Sequence, residues 1–171
     1  MSSADARRVP GRIVSGGQSG VDRAALDYAI GAGIPYGGWC PHDGWAEDLP
    51  TPPGLRALYP DLRPVLSQDL RERTRANVVD SDATLILIPG PDPSRVLSRG
   101  TRLTVSLAAR LGRPHRVVAL GDPAARDEVA GLVAYLAADF VLNVAGPRES
   151  GAPGVYRSAR AFLAECFGSE L

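Results

Sequence analysis

Short apolar runs alternate with segments of helical periodicity along the whole chain. Ile13-Val14 reads as a first strand, and Val21 to Ala32 reads as a helix with Val21, Ala25, Ala29 and Ala32 at helical spacing. Gly33 is a natural stop, and Pro35 to Cys40 reads as a second strand. From Pro41 to Pro64 the chain holds six prolines and two glycines and few periodic signals, which predicts a long irregular connection. Loops of that length are more often functional than decorative. A short strand is expected at Pro64 to Leu66, and a helix from Asp69 to Asp80. Ala83 to Ile88 is continuously apolar, as a central parallel strand buried on both faces should be. Helices then follow at Gly100 to Leu111, Pro123 to Ala138 and Pro153 to Phe167, separated by strands at Arg116 to Leu120 and Phe140 to Val144.

This order predicts an α/β domain with a mostly parallel sheet and helices on both faces. One domain is expected over residues 12–171, preceded by a flexible tail over residues 1–11. The 171 residues suffice for a proper core. A hydrophobic fraction of 44% and a charged fraction of 22% are ordinary for a globular chain. Zero formal net charge gives no bulk attraction to nucleic acid or to a membrane surface. No apolar run is long enough to span a bilayer, and Met1 to Gly11 lacks the apolar centre of a signal peptide. The two cysteines, Cys40 and Cys166, form no disulfide framework, and a cytoplasmic protein is expected.

Ligands of an open parallel sheet bind beyond the carboxyl ends of its strands. Four glycine-rich or polar segments fall at such ends. The first holds Ser15, Gly16, Gly17, Gln18, Ser19 and Gly20, with Asp22 and Arg23 at the helix start. Free N–H groups at a helix start attract anions, and glycine lets a ligand approach the backbone. The spacing is neither the dinucleotide fingerprint nor a Walker loop. The expected role is to cradle an anionic group; a tight turn without a ligand is the alternative.

The second segment offers Trp39, which could stack on a heterocycle or plug the core, with Glu47 and Asp48 as polar contacts. Its Cys40 and His42 have no partner cluster, so no metal site is expected. Gly90 and then Gly100-Thr101 form the third, suited to a second anionic or ribose-like group unless Thr101 is a simple N-cap. The fourth brings Asn143, Arg148, Glu149 and Ser150: an amide for a heterocycle edge and a guanidinium for an anion, or an internal Arg148–Glu149 pair. Arg73 and Asn77 on the helix from Asp69 reach the same rim. No catalytic set emerges, and the only histidines are His42 and His115.

Ser15-Gly16-Gly17-Gln18-Ser19-Gly20-Val21-Asp22-Arg23, Gly37-Gly38-Trp39-Cys40-Pro41 and Ala46-Glu47-Asp48 combine with Arg73-Thr74, Asn77-Val78, Ser81-Asp82, Gly100-Thr101 and Asn143 to Ser150. Together they resemble the molybdenum cofactor carrier-like family, a branch of the Rossmann-like SLOG superfamily. That superfamily also holds the cytokinin-activating phosphoribohydrolases and the DNA-processing DprA proteins. The resemblance implies a single Rossmann-like domain and a homo-oligomer, dimer or tetramer. It also implies a small phosphorylated heterocyclic ligand: the molybdenum cofactor (molybdopterin) or a nucleotide. A nucleotide-processing enzyme or sensor is the alternative to a carrier. The phosphoribohydrolases carry a catalytic glutamate after their Gly-Thr pair, where this chain has Thr104. A neutral hydroxyl supplies no carboxylate, so N-glycosidic cleavage by that route is not expected.

Overall fold

The computed structural model describes residues 7–90 and 97–171. The first six residues of the expected tail, and Pro91 with the rest of the segment through residue 96, lie outside the described residues. Strands β1 (Arg12–Val14), β2 (Tyr36–Cys40), β3 (Leu62–Pro64), β4 (Ala83–Ile88), β5 (His115–Ala119) and β6 (Val141–Ala145) build the sheet. Between and after them run helices α1 (Val21–Gly31), α2 (Leu55–Leu58), α3 (Leu70–Val79), α4 (Arg99–Arg110), α5 (Ala125–Val133) and α6 (Val155–Phe167). The molecule is a single α/β domain of Rossmann-like architecture, and every strand pair in it is parallel.

Strand order is β3-β2-β1-β6-β4-β5. Counted from β6, the chain steps through β1, β2 and β3 on one side and then through β4 and β5 on the other. That is a doubly wound sheet in which the last strand in sequence lies at the centre, between β1 and β4. The direction of winding reverses beside β6, between β1 and β4, and a crevice opens at the strand ends there.

Alternation along the central strands sorts the core. Ile13, Leu85, Leu87, Leu142 and Val144 join the large cluster with α1, α5 and α6. Thr84 and Asn143 alternate with these residues and point to the other face, where α3 and α4 pack together. They lie directly opposite in register, and Asn143 Nδ2 donates to Thr84 Oγ1 at 3.3 Å. A smaller cluster of Leu26, Cys40, Leu55, Tyr59 and Leu62 lies under the long β2–β3 connection. Burial pushes the Cys40 thiol up, so it behaves there as a small apolar side chain.

Most element boundaries shift by a residue or two from the sequence expectation, and three differences have a visible cause or add an element. The third strand is Leu62–Pro64, because Leu62 is drawn into the smaller cluster. The long connection before it contains α2. Helix α5 stops at Val133, short of Ala138; beyond it, Arg8 donates to the carbonyls of Ala134, Leu136 and Ala137. The guanidinium of Arg8 also lies 5.9 Å from the Phe140 ring centroid.

Leu85 is fully buried at the centre of the sheet. Leu85→Ala is expected to lower unfolding stability by about 3 kcal/mol, read from urea denaturation, because the cavity left in the large cluster cannot collapse against a rigid sheet.

Candidate functional site

The loop after β1 is built from its own side chains. Ser15 is buried, and its Oγ donates to the Val144 carbonyl at 2.6 Å, stapling β1 to β6. Gly17 has φ +76°, and a Cβ there would meet Leu55 and Leu62 at 3.1 Å, so this glycine faces the smaller core cluster. Gly20 has φ +81° and precedes α1; a Cβ would fall 2.7 Å from the Glu149 nitrogen. Only glycine lets the loop after β6 lie this close, and that contact lets Val21 N–H donate to the Pro147 carbonyl at 3.2 Å.

Side chains lock the other loops onto this one. Ser19 donates to Glu47 and accepts from Glu149 N–H at 3.2 Å. Glu47 also accepts from Ser150 Oγ at 2.6 Å and Ser150 N–H at 3.3 Å. These bonds from Ser150 and Ser19 hold the Glu47 carboxyl below its ordinary value. Arg23 forks onto Asp48 at 2.9 and 3.0 Å and lies 5.6 Å from the Tyr59 ring centroid. Glu149 pairs with helix α6 rather than with Arg148, accepting from Gly154 and Tyr156 N–H. It therefore supplies the negative charge that a helix start favours.

Trp39 sits against α3, its Nε1 donating to Asp80 at 2.6 Å. Asn77 reads the Trp39 backbone like an added strand, accepting from its N–H at 2.8 Å and donating to its carbonyl at 3.0 Å. At the start of α4, Ser98 rather than Thr101 is the N-cap, accepting from Thr101 N–H at 3.1 Å. Gly90 follows β4 and does not line the cleft described next.

A cleft of about 1060 Å³ opens at the winding reversal, between the loops after β1 and β6 and helices α3 and α4. Of the residues singled out in the sequence, Gly16, Gln18, Asp22, Arg73, Asn77, Gly100, Thr101, Asn143, Arg148 and Ser150 line it. Ser15, Gly17, Ser19, Gly20, Arg23, Trp39, Glu47, Asp48 and Glu149 instead hold the loops in place. Sequence reasoning missed Arg71, Arg99 and Arg102 on the cleft wall; the one available signal was Arg99 beside the Gly100-Thr101 pair. Among the described residues that line it are five arginines and two carboxylates, those of Asp22 and Asp69. A smaller cavity of about 420 Å³ adjoins it, sharing Arg73 and Leu70 and reaching His42 and Trp45. No cysteine or histidine is among the described residues that line the larger cleft.

Asp22 is the most perturbed group of the site. It is 8% exposed, and the backbone N–H groups of Gln18 and Gly146 favour its charged form. Burial pushes its pKa up to about 6 against the attraction of Arg73 and Arg148. Burial likewise draws the Arg73 guanidinium down, with Asp22 opposing. The two groups meet over Gly16, where a Cβ would fall 2.9 Å from Asp22 Oδ2 and 3.4 Å from Arg73 Nε. Two buried atoms on this wall have no hydrogen-bond partner: Gln18 Oε1 and Arg73 Nη1.

A doubly wound sheet with a polar cleft at its reversal point defines a Rossmann-like ligand-binding protein. More narrowly, the chain belongs to the circularly permutated YpsA SLOG family, whose model matches residues 13–167. The chain is similar to a crystal structure from Syntrophus aciditrophicus SB described as "Putative molybdenum carrier protein". The two share 37% identity over 94% of this chain and 96% of that one, with a TM-score of 0.76. No curated protein matches. Among the described residues no helix is long and apolar enough to cross a membrane.

Two outcomes test the electrostatics. Glu47 has a lowered pKa, so its contribution is present above the ordinary carboxylate range and lost as acid protonates it. Glu47→Gln is expected to cost about 1 kcal/mol at pH 7, the difference from wild type fading below pH ~4 in urea titrations. Asp22 has a raised pKa, so its ionisation lowers stability as pH rises through about 6. Asp22→Asn is expected to melt above wild type at pH 8, with the gap narrowing by pH 5, in paired calorimetric scans.

Proposed function

We propose that the cleft binds a small phosphorylated heterocycle, and that the protein carries the molybdenum cofactor or a close relative of it. The observation that carries this reading is the cleft of about 1060 Å³ at the sheet's reversal point, with Arg71, Arg73, Arg99 and Arg148 among the described residues of its wall. All nineteen basic residues of the chain are arginine. The planar guanidinium fork suits phosphate oxygens better than a point charge does. Leu70, Leu97 and Leu103 on the walls offer apolar cover for a ring. The name carried by the similar Syntrophus protein supports a carrier role.

The residues present fit the organic part of that cofactor. Arginines would hold its phosphate, and amide and carboxylate groups its ring. With neither sulfur nor imidazole on the cleft wall among the described residues, the molybdenum would keep the ligands of its own cofactor.

A nucleotide-processing enzyme is the second reading, and Asp22 favours it. An acid with a pKa of about 6 inside a cleft is poised for proton transfer near neutral pH.

Both readings are tested by titrating purified protein with molybdopterin and with nucleoside monophosphates, following heat and product mass together. Saturable cofactor binding without turnover is expected, and Arg73→Gln should weaken it about tenfold or more. Absence of binding by any phosphorylated heterocycle overturns the proposal, and turnover of a nucleotide establishes the enzyme.

A further inference from the structure

Gln18 stands 3% exposed on the cleft wall, and its amide orientation is fixed chemically. Nε2 donates to the Trp45 carbonyl at 2.9 Å, and a carbonyl can only accept. A flipped amide would set oxygen against oxygen, so Oε1 is the atom left over. It is buried and has no partner. Arg73, which lines the same cleft, has its Nη1 buried and equally unpartnered. Buried polar groups are nearly always satisfied, so an orphan acceptor and an orphan donor on one wall call for something that supplies both.

Asp22 adds a second acceptor. The backbone N–H groups of Gln18 and Gly146 favour its charged form. Backbone N–H groups beside this loop therefore already act on an anion that belongs to the protein. A phosphate brought here would present acceptors alone. It would leave Gln18 Oε1 unpaired and face the Asp22 charge.

We infer that the Gln18–Asp22–Arg73 wall receives the ring rather than the phosphate, and that it reads a 2-amino-4-oxo pyrimidine edge. Such an edge carries an amino N–H and a ring N–H as donors beside a carbonyl acceptor. The two N–H groups meet the Asp22 carboxylate and Gln18 Oε1, and the carbonyl takes Arg73 Nη1. Pterins and guanine share this edge. The inference rests on the phosphorylated-heterocycle reading of the cleft and says which end of that ligand lies where.

The test measures dissociation constants by calorimetry for guanosine, inosine and xanthosine 5′-monophosphates and a phosphorylated 2-amino-4-oxopteridine. Inosine monophosphate lacks only the amino donor. The guanosine and pteridine compounds are expected to bind wild type about tenfold tighter than the inosine compound, the worth of one lost hydrogen bond. The tighter of those two shows whether the rest of the ligand is a pteridine or a nucleoside. Asp22→Asn exchanges an acceptor for a donor and is expected to shift preference toward xanthosine monophosphate, whose 2-oxo group accepts. A misfolded variant could not gain affinity. Equal binding of the guanosine and inosine compounds by wild type overturns the inference while leaving phosphorylated-heterocycle binding intact. Retention of the guanosine preference by a folded Asp22→Asn protein also overturns it. If none of the four binds, the parent reading falls with it.

Discussion

The carboxylate of Asp22 is the constraint on which the site depends. It sits at the head of α1, has its charge favoured by backbone N–H groups of the loop after β1 and the loop after β6, and faces Arg73 from α3 across Gly16. Three segments distant in sequence are thereby tied to one buried charge. Its burial is unfavourable, which is why its pKa rises and why it needs two backbone donors and two nearby guanidiniums. Such an arrangement persists where the rest of the fold over-determines it. Here that support comes from the Ser15 staple, the close approach at Gly20 and the Ser19–Glu47–Ser150 bridge.

That support explains a division of labour among the polar residues. Side chains at the outer rim neutralise one another: Arg23 with Asp48, Glu47 with two serines, Glu149 with the start of α6. Their hydrogen bonds are spent on loop geometry. The inner wall keeps unspent capacity, in Gln18 Oε1, Arg73 Nη1 and the remaining sites of Asp22. A rigid frame around unsatisfied groups is what binding with little reorganisation requires.

The fold was legible from periodicity because β4 is buried on both faces and α1, α4 and α6 end beside glycines. Ala83–Ile88 was read residue for residue. Strand order was not legible. Nothing in the run Val141–Ala145 says that it inserts between β1 and β4, since that depends on which edges remain unpaired when it arrives. The end of α5 was missed for a related reason: alanines favour continuing the helix, and the Arg8 contacts lie more than a hundred residues away. Within the site, residue types were a fair guide to position at the rim but not to orientation. Trp39 and Asn77 are spent on each other's backbone and helix, and Gly17 looks into the core.

The first loop shows why a glycine-rich turn before a helix underdetermines its ligand. Such a turn favours an anion, and the physics of aligned N–H groups does not ask where that anion comes from. When the following helix carries an aspartate in its first turn, the chain can fill the position itself. The loop then changes from an anion acceptor into a presenter of hydrogen-bond acceptors. The sequence Gly16-Gly17-Gln18-Ser19-Gly20-Val21-Asp22 contains both possibilities, and the buried carboxylate decides between them. The positive groups of the cleft wall are then side chains rather than backbone, on α3, on α4 and after β6. In the proposed binding mode an anionic group and a heterocycle are drawn to different walls of one cleft, which would give a ligand carrying both a single orientation.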